Sequence, residues 1–247
     1  VKAILILENF ACNLEKIIDQ TAISTVFITS IGEMLGGLKG SITNFVVKYV
    51  KKMVPAYNLP TAIPFKKAIS SGQKPTEHYH SLHDTAFLQY TGGTTGVPKG
   101  VILTHGNICA NMAQVDGWIG SLFNPGKEVF ITALPMYHIF SLTANCVLSI
   151  HLGVKNKLIT NPKDMKAFIK ELKKEQFSFI TGVNTLYNGL MNQPEFATVN
   201  FSALKLALAG GMALQDVVAN KWLGITGKPL IEAYGLSETS PGASVNP

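Results

Sequence analysis

Short runs of aliphatic and β-branched residues recur along the whole chain and alternate with longer stretches whose apolar residues return at helical spacing. Strands separated by helices are most readily laid side by side in parallel, with the helices covering the faces of the sheet. The strand-like runs fall at residues 3–7, 25–29, 85–90, 100–104, 129–133, 157–160, 178–181, 204–209 and 229–233. Several are apolar throughout, the pattern of a strand buried on both faces. The expected class is α/β, with mostly parallel sheets flanked by helices.

Between the strands, Met165, Phe168, Ile169 and Leu172 fall at i, i+3, i+4 and i+7, with lysines on the other faces. That is a helix lying on a core, and Asn161-Pro162 supplies the expected start, a capping side chain followed by a first-turn proline. Leu214, Val217, Val218 and Trp222 make a second stripe, and Ile108, Met112, Val115 and Ile119 a third. Residues 41–54 are amphipathic and basic, which predicts an ordinary surface helix docked by its apolar face, with membrane-surface contact as the alternative. A turn cluster at Asn124-Pro125-Gly126 suggests two α/β subdomains, 1–124 and 125–247.

Composition removes several function classes. With 247 residues, 47% hydrophobic and 15% charged, the chain can bury a sizeable core, so disorder is not expected. The net charge of +6 comes entirely from lysine, because no arginine occurs. Bidentate guanidinium reading of guanine edges is therefore absent, and nucleic acid is not an expected partner. Three widely spaced cysteines, Cys12, Cys109 and Cys146, form no CxxC pair and read as small buried residues of a reducing cytosol. That cysteine pattern makes the expected location cytoplasmic, with peripheral contact at the inner membrane face, through the basic 41–54 segment, as the extension; no apolar run reaches the length of a membrane span.

The densest chemical signal is Tyr90-Thr91-Gly92-Gly93-Thr94-Thr95-Gly96-Val97-Pro98-Lys99-Gly100, directly after a strand-like run. Glycines allow close backbone approach, threonines add hydroxyl donors, exposed amides can form an anion nest and Lys99 brings a full positive charge. This is a phosphate-holding composition. It is not a Walker loop, which needs a glycine, four residues, then Gly-Lys-Ser/Thr opening a helix. The run closely resembles the phosphate-binding signature of the adenylate-forming enzymes, and Gly92-Gly93 with Leu88-Gln89-Tyr90 is most similar to bacterial long-chain fatty acid CoA ligases.

Two further segments agree with that family in the same order. In Ala133-Leu134-Pro135-Met136-Tyr137-His138-Ile139-Phe140 the resemblance implies that His138 is the aromatic switch residue beside the carboxylate. In Glu232-Ala233-Tyr234-Gly235-Leu236-Ser237-Glu238-Thr239, Glu238 offers a hard oxygen for magnesium, Ser237 a hydroxyl for the α-phosphate and Tyr234 a ring for adenine. The family usually carries threonine at the place of Ser237. Gly210 and Gly211 resemble its adenine-side glycine segment, with Ala209 where long-chain members often have a third glycine. Residues 182–185 are similar to the segment near the acyl pocket, although a helix cap explains them nearly as well.

The resemblance implies ATP-dependent activation of a fatty acid to acyl-AMP and then acyl-CoA, with Mg²⁺ as cofactor and coenzyme A as co-substrate. Thr91, Gly92, Gly93, Thr94, Thr95, Gly96, Lys99, Gly210, Gly211, Tyr234, Gly235 and Ser237 are its expected nucleotide contacts, Lys99, His138, Ser237 and Glu238 its expected catalytic group, and Glu238 its metal ligand. It also implies a homodimer and an internal portion of a longer chain, without the small C-terminal domain and inactive alone. Medium-chain, aryl or amino acids remain alternative substrates. A silent acyl- or nucleotide-binding protein is the alternative from another class.

Overall fold

The computed structural model describes every residue except 73, 75, 76, 78 and 92–97. It divides into two compact units, Val1–His78 and Tyr79–Pro247. The turn cluster at 124–126 lies inside the second unit, ahead of its sheet.

The first unit is a three-stranded parallel sheet of β1 (Ala3–Leu7), β2 (Thr25–Thr29) and β3 (Ile63–Pro64), in that order. Among the described residues, three α-helices join it: α1 (Ala11–Glu15), α2 (Gly37–Phe45), which runs on into a π-helical turn at Val46–Val50, and α3 (Phe65–Ile69). The expected helix over 41–54 is thus present, but Ile42, Phe45 and Tyr49 point outward rather than onto the sheet.

The second unit opens with an antiparallel hairpin, β4 (Thr85–Thr91) and β5 (Lys99–Thr104), whose register pairs Thr91 with Lys99. Helix α4 (His105–Ile119) follows at once, because Thr104 and Asn107 close a capping box over its first turn. Then come β6 (Val129–Thr132), a helical stretch of α5 (Ile139–Ser141), a π-helical turn (Leu142–Val147) and α6 (Leu148–His151), and β7 (Lys155–Leu158). The remaining elements are α7 (Met165–Leu172), β8 (Phe179–Gly182), α8 (Asn184–Met191), β9 (Leu206–Ala209), α9 (Asp216–Thr226), β10 (Leu230–Gly235) and β11 (Gly242–Val245). The six-stranded sheet runs β11-β10-β9-β8-β6-β7 and is parallel except between β10 and β11.

Strand alternation divides the core between the two faces of that sheet. Ile131, Ile180 and Ala207 face α7, α8 and α9, where Phe168, Tyr187 and Trp222 are fully buried. Their neighbours Phe130, Phe179 and Leu208 face the opposite side, against Met112 and Ile119 of α4 and Leu148 of α6. Because both faces are covered, the central strands are mostly apolar, and their buried Thr132 and Thr181 hydroxyls donate to the Asn156 and Asn145 side chains, each at 2.7 Å.

Several local expectations change. α7 is capped by Asp164, whose carboxylate accepts from the Ala167 N–H at 3.0 Å, not by Asn161. β7 starts two residues before the expected run, as an edge strand whose Lys155 and Lys157 pair with Glu175 and Glu171. Val217, placed on an inward stripe by spacing, is 75% exposed, since α9 buries Val218 and Trp222 instead. Cys109 is exposed, and Cys12 and Cys146 are half-buried.

Candidate functional site

Parallel sheets place ligands at the carboxyl ends of their strands, where the strand order reverses. Here the order reverses at β6, with β7 on one side and β8 on the other. The segments leaving β6, β9 and β10 all lead to one cavity of about 550 Å³. They bring His138, Gly210, Gly211, Tyr234, Ser237 and Glu238 to it, and the β4–β5 hairpin adds Thr91 and Lys99. Gly92, Gly93, Thr94, Thr95 and Gly96 lie outside the described residues.

Each polar group is held by its own local chemistry. The Thr91 hydroxyl donates to the Lys99 carbonyl at 3.4 Å across the end of the hairpin. His138 precedes α5, and its Nδ1 accepts from the Phe140 N–H at 3.3 Å, which leaves the proton of a neutral ring on Nε2. The Gln89 amide donates to the Tyr137 carbonyl at 3.0 Å and so ties β4 to the segment carrying His138. Between β10 and β11, the Leu236 N–H donates to the Thr239 hydroxyl at 2.9 Å and to the Pro241 carbonyl at 3.1 Å, closing the turn that presents Ser237 and Glu238. Gly235 is required there, because a Cβ would collide with the Pro241 carbonyl. Gly211 adopts φ +79°, a left-handed conformation that a side chain would strain.

The cavity has two chemically different halves. Lys99, His138 and Glu238 are exposed at its mouth, whereas Val115, Ile119, Leu148, Phe179 and Leu208 form an apolar wall. That wall is cut into the core on the α4 side of the sheet, next to a cluster in which Phe179 meets Phe130 edge-on at 4.7 Å. An anion can therefore be held at one end and a hydrocarbon chain buried at the other.

Glu238 is the acidic side chain among the described lining residues, with no described hydrogen bond or ion pair. No cluster of three or more His, Cys, Asp or Glu that could hold a metal occurs among the described residues. That donor set suits a hard ion sharing phosphate oxygens and water with one carboxylate, as Mg²⁺ does, and does not suit a tetrahedral zinc cage.

Two residues that sequence reasoning missed hold the Glu238 turn from outside. Asn111 of α4 is buried, its amide donating to the Gly242 carbonyl at 2.9 Å and accepting from the Gly242 N–H at 3.3 Å. The Thr143 hydroxyl donates to the Ser240 carbonyl at 3.4 Å. Their partners lie 131 and 97 residues away in sequence, so no local pattern signals them. Residues 182–185, expected near the acyl pocket, do not line the cavity; Asn184 instead accepts from the Gln215 N–H at 3.0 Å and steadies the start of α9.

Comparison with known proteins finds relatives over nearly the whole chain. A family model described as AMP-binding enzyme matches residues 11–247. The chain is similar to the long-chain-fatty-acid–CoA ligase of Escherichia coli O6:H1, with 53% identity over 99% of the chain and 44% of that protein. With the ligase of the same name from Haemophilus influenzae it shares 50% identity over 97% of the chain and 43% of that protein. The chain thus spans less than half the length of these relatives. Among solved structures it is similar to an anthranilate CoA ligase in complex with anthranoyl-AMP, with TM-score 0.76, 15% identity, and coverage of 100% of this chain and 43% of that one. A long-chain-fatty-acid-CoA ligase from Archaeoglobus fulgidus gives TM-score 0.68 at 19% identity, covering 100% of this chain and 45% of that one. At these identities the two structures speak for the fold alone.

Proposed function

The chain belongs to the AMP-binding enzyme family, and from that premise we propose that the protein carrying it activates long-chain fatty acids, first to the acyl-AMP and then to the acyl-CoA. The observation that carries this reading is the pairing, in one cavity, of a mouth bearing Lys99, His138 and Glu238 with an apolar wall. The names of the bacterial relatives at 50–53% identity support the same substrate class.

In the first half-reaction a carboxylate oxygen of the acid attacks the α-phosphorus of ATP. The bond from that phosphorus to the bridging oxygen breaks, and pyrophosphate leaves. In the second, the thiol of coenzyme A attacks the carbonyl carbon of the mixed anhydride, and AMP leaves. No protein nucleophile is needed. The work of the site is to hold two anions together and to offset charge that grows on the phosphate.

Lys99 and Thr91 supply positive charge and a hydroxyl to the phosphates, and Ser237 a second hydroxyl at the α-phosphate. His138, exposed at the mouth, orients the carboxylate. Gly210 and Gly211 let the backbone approach adenine, and the exposed ring of Tyr234 stacks on it. Glu238 would hold Mg²⁺, which when bound neutralises the triphosphate and polarises its oxygens.

The test is ATP–pyrophosphate exchange by the full-length protein with acids of increasing chain length. Exchange that rises with chain length is the expected result, and Glu238→Gln should lower magnesium-dependent acyl-AMP formation about 100-fold or more. Exchange confined to aryl or amino acids would replace the substrate class. Absence of exchange with every acid, alongside retained nucleotide binding, would favour a silent binding protein instead.

A further inference from the structure

His138 stands on a segment with little side-chain packing of its own. Pro135, Met136, Tyr137 and His138 are all exposed, Tyr137 at 81%, and the next buried side chain is Ile139. Hydrogen bonds therefore set the position of this stretch. The peptide that joins Tyr137 to His138 is held at both of its polar groups. The His138 N–H donates to the Pro135 carbonyl at 3.0 Å, and the Tyr137 carbonyl accepts from the Gln89 amide at 3.0 Å. One turn on, the Leu142 N–H donates to the His138 carbonyl at 2.9 Å. Two of these three bonds close within residues 135–142, and the third comes from β4.

That third bond links the two sides of the chemistry. Thr91 and Lys99 sit opposite each other at the end of the β4–β5 hairpin, and the half-buried Gln89 sits opposite Val101, two residues back on the same face of β4 as Thr91. Among the described residues, Gln89 to Tyr137 is the one hydrogen bond that joins this hairpin directly to the carboxyl end of the six-stranded sheet. Apolar packing supports the same junction, with Leu103 against Ile108 and Ile139 and with Val101 beside them. Such burial is non-directional and resists separation more than sliding. A hydrogen bond has a set length and angle, so it fixes where the two surfaces stop. Because a carbonyl can only accept, residue 89 must present an N–H to it.

We propose that Gln89 is a positioning residue for acyl-AMP formation: through the Tyr137 carbonyl it sets His138, and with it the carboxylate of the acid, at attacking distance from the phosphates that Thr91 and Lys99 hold. The assignment rests on the adenylating reading above. Gln89 does not itself line the cavity, so it acts through Tyr137 and His138 rather than on a substrate. Its effect belongs to the step in which two separate anions must be aligned, where a carboxylate oxygen bonds to the α-phosphorus and pyrophosphate leaves. In the second step the acid and the phosphate are already one molecule, and their spacing no longer depends on the hairpin.

The test measures both half-reactions of the full-length protein in two variants. Gln89→Met keeps the length of the side chain and removes the donor, and Gln89→Glu sets a carboxylate against the Tyr137 carbonyl. The rate of acyl-AMP formation at saturating ATP and fatty acid should fall at least ~10-fold in Gln89→Met and further in Gln89→Glu. The KM for ATP should change less than about threefold, and thiolysis of supplied acyl-AMP by coenzyme A should stay within about twofold of wild type. The bond is open to solvent, so Tm should move by less than about 5 °C. Wild-type rates of acyl-AMP formation in both variants would overturn the proposal. So would an equal fall in both half-reactions, a rise in the KM for ATP that matches the fall in rate, or a larger fall in Tm. A wild-type protein with no exchange toward any acid would overturn the adenylating reading itself, and this assignment with it.

Discussion

The Asn111 amide reads both the N–H and the carbonyl of Gly242, and Thr143 holds Ser240 beside it. The turn carrying Ser237 and Glu238 is thereby fixed to two helices that also wall the apolar half of the cavity. Asn111→Ala removes the clamp and leaves the Gly242 groups to find other partners, at a cost of about 1–3 kcal/mol in stability. Because a small displacement of a charged group is expensive in catalysis, pyrophosphate exchange should fall about 10-fold or more, with a higher magnesium requirement. Asn111→Asp keeps the acceptor for the Gly242 N–H and should recover part of the loss. A magnesium titration of exchange in both variants, together with their Tm values, separates this positioning role from simple destabilisation.

Helix α4 contributes Asn111 to the Glu238 turn and, one turn on, Val115 to the apolar wall. A Val115→Phe substitution narrows the hydrocarbon end without touching the polar mouth. It should lower kcat/KM for long acids relative to short ones at least ~10-fold, read from the chain-length profile of exchange. The sheet that faces this helix depends on a different contact at its amino-terminal edge. Burial of Glu128 opposes its ionisation, but the Lys205 ammonium at 2.6 Å and the Asn124 N–H at 2.8 Å outweigh it and hold the carboxyl below its usual value. A folded-state pKa below the unfolded one stabilises the fold above the unfolded value and is lost as pH falls through the lowered one. Wild type should therefore lose part of its stability below about pH 4.3, and a Glu128→Ala variant should lose less over that window while starting about 1–3 kcal/mol lower at neutral pH. Chemical denaturation at the two pH values measures both.

At the scale of the molecule, the catalytic reading concerns one unit, Tyr79–Pro247. The chain spans 44% of its E. coli relative, so these 247 residues should bind nucleotide weakly and give little or no pyrophosphate exchange alone. Robust exchange by the isolated chain would show that the cavity described here is sufficient by itself. Strand positions were legible along most of the length because burial on both sheet faces favours apolar runs, as in β9 and the Phe179-Ile180 start of β8. β7 was placed two residues late because an edge strand carries lysines that pair with Glu171 and Glu175. β11 was missed because Gly242–Val245 is short and built of small residues with no pattern of its own.

Residue order alone determined the α/β class, the motifs and the chemistry they can offer, because local spacing dictates strand, helix and turn, and functional groups are intrinsic to their side chains. It also located Lys99, His138 and Glu238 in three separate segments. Only the tertiary structure decided that they share a cavity, that its far wall is hydrocarbon, and that Asn111 grips the Glu238 turn. It likewise decided which side of α2 faces out, since the close approach of Gly40 to Gly32, not the helical period, sets the rotation of that helix. Contacts between residues distant in sequence carry these outcomes, and no window of sequence contains both partners.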